Sequence, residues 1–162
     1  MTPEFRHMDA FSAIGYHLDP PEGDFDLLDS GAYWMGKDFS SISQEDFAKL
    51  TYPGFTEIAG WIRPKQPGES IFYFFGPVVR DKSFIPEKAA VVDVPAAEYA
   101  AFPVPVSASF QDLNANIRAT WKEAFRWLES SEYCCDEDKQ AFEYYLSDRT
   151  FIYVPVVKKT EP

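Results

Sequence analysis

The chain has 162 residues, enough for one domain that removes about 70% of its unfolded surface from water. Hydrophobic residues are 46% and charged residues 25%, which excludes a disordered chain, and no apolar run approaches the length of a membrane span. A formal net charge of −11 disfavours direct nucleic-acid binding, for which phosphates need clustered Lys and Arg; Lys158-Lys159 is too short a basic run to reverse that.

Phe11 to Leu18 reads as a first strand, stopped by Asp19-Pro20-Pro21 and Gly23. After an irregular stretch, Ser41-Ile42-Ser43-Gln44 and Ser43-Gln44-Glu45-Asp46 each fit a capping box and predict a short helix to Leu50. Thr56 to Arg63 and Ser70 to Val79 follow as strands joined by the turn-rich Pro64 to Glu69. Ala89 to Val94 and Glu98 to Phe102 read as extended, broken by Pro95. Ser109-Phe110-Gln111-Asp112 opens a second helix whose Leu113, Ile117, Trp121, Ala124 and Leu128 fall on one face, and Ser130-Ser131 ends it. Asp136 to Lys139 is expected as a solvated loop, and strands Gln140 to Leu146 and Thr150 to Val157 finish the chain.

Each half therefore reads strand, helix, strand, strand. The expected fold class is α+β: one domain over 1–162 with pseudo-repeats at about 8–80 and 86–158. It has an antiparallel sheet, two helices on one side and a central groove where the halves meet, the kind of junction that pockets favour.

The N-terminal Met-Thr-Pro-Glu-Phe-Arg-His-Met-Asp lacks an apolar signal region, so a cytoplasmic location is expected. Cys134 and Cys135 are adjacent and read as two reduced thiols. With only His7 and His17 besides, no metal-site spacing exists and no metal or cofactor is expected. His17, on the first strand, has no nucleophile partner, and no GxSxG, Gly-rich phosphate loop or HExxH motif occurs.

Aromatic residues are 17% of the chain, a proportion pointing to an aromatic-lined cavity or an interface. In Ala141-Phe142-Glu143-Tyr144-Tyr145-Leu146, alternation puts Ala141, Glu143 and Tyr145 on one face and Phe142, Tyr144 and Leu146 on the core side. Two readings of Glu143 stand open. It is either an exposed strand glutamate paired with a basic neighbour, or a carboxylate at the base of an aromatic groove that awaits a cation. Trp121, Trp61, Phe75 and Tyr153 are candidate lining residues, each equally readable as core packing. Aligning Ile58 to Ile62 on Phe142 to Leu146 sets Trp61 against Tyr145 and Ala59 against Glu143, so the first half offers a small residue where the second offers an acid.

Val94-Pro95-Ala96-Ala97-Glu98-Tyr99-Ala100-Ala101-Phe102, Thr120-Trp121, Trp127 to Tyr133, Phe142-Glu143-Tyr144-Tyr145 and Ile152-Tyr153-Val154-Pro155-Val156 occur in an order that resembles the GyrI-like domain. That domain also serves as the effector-binding part of AraC- and MerR-type multidrug regulators. The resemblance runs over about 86–158 and by chain order alone over 8–80. It implies a duplicated strand–helix–strand–strand (SHS2-type) fold whose groove binds hydrophobic cations, with Glu143 as the pocket acid and Trp121 as the helix tryptophan. The usual glycine of the Ser-Gly-Tyr stretch is Glu132 here. No segment resembles the helix-turn-helix of the regulators, so the expectation is a stand-alone effector-binding module. Two alternatives are a hydrolase of strained electrophilic natural products, with Glu143 as general base, and an acidic gyrase-inhibitor-like module that acts on a protein partner.

Overall fold

In a computed structural model of the protein, the residues described are 1–18, 58–63, 72–79, 82, 85, 90–146 and 148–160. Among them are nine strands: β1 (Glu4–Met8), β2 (Phe11–Leu18), β3 (Ile58–Arg63), β4 (Phe72–Val79), β5 (Ala90–Val94), β6 (Ala97–Val104), β7 (Tyr133–Cys135), β8 (Phe142–Tyr145) and β9 (Thr150–Lys158). One helix, α1 (Phe110–Ser130), lies between β6 and β7. Every pairing is antiparallel, in the order β1-β6-β9-β8-β3-β4-β2-β5, with β7 added against β9. The architecture is α+β, as the alternating pattern predicts. The helix expected over 41–50 lies outside the described residues.

The seam of the sheet is the β3–β8 pair. From it the order runs β3, β4, β2 through the first half of the chain and β8, β9, β6 through the second. The outermost strands are exchanged. β1, from the first half, pairs with β6, and β5, from the second, pairs with β2.

Strand alternation sorts the apolar residues onto two faces. Tyr99, Ala101, Phe142, Tyr144, Phe151 and Tyr153 share one face with Ala13, Val78 and Val94 from the other half, and together they form one buried cluster. Phe11 of β2 lies 5.4 Å from Phe142 of β8, edge to face, although three strand pairings separate them. The sheet must therefore curl, with this aromatic cluster on its inner side. Ala100, Phe102, Val104, Ile152, Val154 and Val156 take the outer face, where Ile117 and Ala124 of α1 are buried against them.

Helix α1 forms where expected. Ser109, in an extended conformation, caps the helix by accepting the Asp112 amide at 3.1 Å, while its hydroxyl donates to the Asp112 carboxylate at 2.7 Å. Leu113, Trp121, Trp127 and Leu128 pack around the buried Ile117 and Ala124, so the predicted stripe is the one that faces the sheet. At the other end the Ser131 amide donates to the Trp127 carbonyl at 2.9 Å, and no basic residue stands in the last turn. Lys159, just past β9, supplies that charge: its Nζ donates to the carbonyls of Leu128 and Ser131 at 3.1 and 2.7 Å.

Two strands were not expected. β1 carries Glu4, Arg6 and His7 and has no apolar alternation, so only its pairing with β6 makes it a strand. β7 is three residues long and depends in the same way on β9.

Candidate functional site

Glu143 sits in the middle of β8, on the outer face that α1 covers. Its register partners are Ile152 of β9 on one side and Gly60 of β3 on the other. Continuing outward, Ile152 pairs with Phe102 of β6, Gly60 with Phe75 of β4, and Phe75 with Tyr16 of β2. One row thus crosses six strands as Phe102, Ile152, Glu143, Gly60, Phe75, Tyr16. It holds a single acid, and next to it, across the seam, a single residue without a side chain.

The carboxylate is held from two directions. Trp121 Nε1 on α1 donates to Oε1 at 3.0 Å, and the Tyr145 hydroxyl, two residues along the same strand face, donates to Oε2. An indole N–H can only donate, so Oε1 is fixed as an acceptor. A phenol can donate or accept, so Oε2 can keep this bond whether or not the carboxyl carries a proton. Burial pushes the Glu143 carboxyl above its ordinary 4.5, with the two hydrogen bonds opposing that rise. Burial, and after it the neighbouring carboxylate, pushes the Tyr145 phenol well above 10, so it holds its proton. Glu143, Trp121 and Tyr145 are nonetheless each only half-buried. Protein surrounds the acid without sealing it.

An aromatic ledge continues outward along the helix. Phe125, one turn beyond Trp121, stacks on it at 5.9 Å with an interplanar angle of 25°, and is 52% exposed. Its signal in the sequence was weak, because position 125 falls off the apolar stripe and reads as solvent-facing.

The structure brings Glu143, Trp121 and Tyr145 together. Tyr153 does not join them. Ile152 is the residue opposite Glu143, so its neighbour Tyr153 takes the other face, where it is 3% exposed and lies 5.3 Å from Phe142, ring parallel to ring. Its hydroxyl accepts from Arg6 of β1 at 3.1 Å. Expecting Tyr153 in the groove is corrected on that ground: it is a core residue on the sheet's inner side. In the β3–β8 register Gly60 stands opposite Glu143 and Ala59 opposite Tyr144. Trp61 accordingly falls one row away from Glu143 and pairs with Phe74, while Phe75 shares Glu143's row. Gly60 was missed; a lone glycine inside a strand pattern was its signal.

Elsewhere the chemistry is sparse. Among the described residues no group of three or more His, Cys, Asp or Glu is arranged to hold a metal ion. Cys134 and Cys135 are free thiols on β7, and burial pushes the Cys135 thiol up. No helix among the described residues is long and apolar enough to cross a membrane.

The model of the GyrI-like small molecule binding domain family matches residues 1–157, and the chain belongs to that family. No curated protein matched it. Among solved structures, the fold is similar to that of SAV2435 bound to tetraphenylphosphonium, at 14% identity and TM-score 0.72, covering 97% of this chain and 94% of that one. It is also similar to a candidate transcription regulator from Staphylococcus aureus MU50, at 14% identity and TM-score 0.61 over 96% and 98% of the chains. A Vibrio cholerae integron cassette protein from the mobile metagenome aligns at 14% identity and TM-score 0.59, over 97% of each chain.

Proposed function

We propose that this GyrI-like domain binds hydrophobic monocations, with Glu143 as the counter-charge and Trp121, Tyr145 and Phe125 as the aromatic surround. The observation that carries this reading is a carboxylate which two aromatic donors hold at the seam of the sheet, half-buried and, among the described residues, without a basic hydrogen-bond partner. A surface acid would take a lysine or arginine. This one has an indole and a phenol, neither of which neutralises its charge. A cation brought beside it restores that balance, and each aromatic face it covers adds about 0.5–2 kcal/mol. The single acid fits a monocation, and the aromatic ledge fits a bulky apolar body around it. The tetraphenylphosphonium bound to SAV2435, a protein of the same fold, supports this choice of ligand. The binding role is that of a cytoplasmic effector module.

Tryptophan fluorescence tests it, because Trp121 is itself a hydrogen-bond partner of the acid. The protein is titrated with tetraphenylphosphonium and with triphenylphosphine oxide, a neutral compound of similar aromatic bulk. Saturable micromolar quenching by the cation, at least tenfold tighter than by the neutral compound, is the expected result. Equal affinity for the two would overturn the cation reading.

A further inference from the structure

The pocket reading explains Glu143 but not the residue beside it. β3 is an interior strand, paired on one side with β4 and on the other with β8, and Gly60 lies within its six residues. A glycine there weakens the strand relative to alanine, and it has no side chain to pack. No turn needs it, since the register runs unbroken from Ile58 to Arg63. Inside a strand, the remaining use of a glycine is to let something approach the backbone closely.

What approaches is settled by the surroundings of Glu143. On the β9 side the opposed residue is Ile152, which is fully buried. Above lies Trp121 of α1, and along the strand lies Tyr145. Among the described residues opposed to Glu143 or hydrogen-bonded to it, Gly60 on the β3 side is the one without a side chain. Directly opposed Cβ atoms in an antiparallel pair stand about 4.5–5.5 Å apart, so any larger residue at position 60 would place its atoms against the carboxylate stem. From these observations we infer that Gly60 determines what the site admits: the missing side chain is the space through which the bulk of a cation reaches Glu143, and its size limit is set there. The inference rests on the cation-binding reading and adds to it the residue that sets ligand size.

The test substitutes Gly60→Ala and Gly60→Val, with Ala59→Val as control. Ala59 is the adjacent residue, in register with Tyr144 and not with the acid. Valine is favoured in strands, so Gly60→Val is expected to fold; far-UV circular dichroism and the melting temperature check this. Affinity is measured for tetraphenylphosphonium and for the much smaller tetramethylammonium. Gly60→Ala is expected to weaken tetraphenylphosphonium about tenfold and Gly60→Val by more than 100-fold, while tetramethylammonium changes less than threefold. Ala59→Val should leave both affinities as in the wild type. Unchanged tetraphenylphosphonium binding by folded Gly60→Val overturns the inference and leaves the cation reading standing. If the valine variant does not fold, the alanine variant decides on the same criterion. Loss of both cations alike in the Gly60 variants would also overturn it, since a size limit must spare the small ligand. Absence of binding by the wild type overturns the underlying reading instead.

Discussion

Replacing Glu143 by Gln removes one charge and almost no volume. Gln keeps a carbonyl oxygen for the Trp121 N–H and exchanges the second acceptor, now bonded to Tyr145, for an amide donor. The phenol can reverse its role and accept, so the packing survives and the loss is electrostatic. A cation centre about 5 Å from the carboxylate, at an effective dielectric constant of about 20, is attracted by roughly 3 kcal/mol. That is roughly a 150-fold change in Kd. Glu143 is half-buried, and solvent screening at an open site trims the figure, so a loss of about 30- to 150-fold for tetraphenylphosphonium is expected. Isothermal titration calorimetry on wild type and variant, at pH 8, measures it. Triphenylphosphine oxide should bind both proteins alike. A variant that binds the cation within threefold of wild type would refute the argument, because among the described residues Glu143 is the single acid of its row.

The same acid gives binding a pH dependence. Its folded pKa lies above 4.5, and the cation prefers the ionised form, so affinity should rise as pH rises through that folded value and flatten above it. Stability moves the other way: the contribution of the neutral carboxyl is complete below the unfolded pKa and is lost as pH rises through the folded one, so the Tm of Glu143→Gln relative to wild type should increase from pH 4 to pH 8. Tyr145→Phe removes a hydrogen bond that lowers the Glu143 pKa, so the midpoint of the affinity-versus-pH curve should shift upward; an unmoved midpoint would deny the pair its role. Lys159→Met strips the end of α1 of the ammonium that spans its last carbonyls, and should cost about 0.5–1 kcal/mol, read as a Tm fall of about 1–4 °C.

Helix α1 was legible because its signals are local: a serine cap, a carboxylate three residues on, and an apolar stripe at helical period. β2, β4, β6 and β9 were legible for a similar reason, being apolar runs between prolines and turn residues. β1 was not, since its five residues are mostly exposed and owe their extension to a partner some ninety residues away in the chain. The site divides in the same way. Period-2 alternation placed Glu143 and Tyr145 together, and helical period turned Trp121 to the sheet. The face that receives Tyr153 depends on the β8–β9 register, which alternation within one strand cannot supply. The β3–β8 register, which no pattern within one strand supplies either, is what sets Gly60 opposite Glu143.

The exchange of the outer strands has a consequence for how the molecule comes apart. Because β1 closes the edge of β6 and β5 closes the edge of β2, each half fastens an edge of the other, and β3–β8 joins them in the middle. Among the described strands, three separate closures, each joining residues about seventy-five or more apart in the chain, must open before either half is released. Such long closures make for slow folding, and leave little room for one half to unravel while the other stays intact. Glu143 and Gly60 face each other across the central closure, so a ligand resting on both would act as a rivet. Its signature would be the slowing of amide exchange throughout the sheet, out to β1 and β5, rather than in the strands it touches alone.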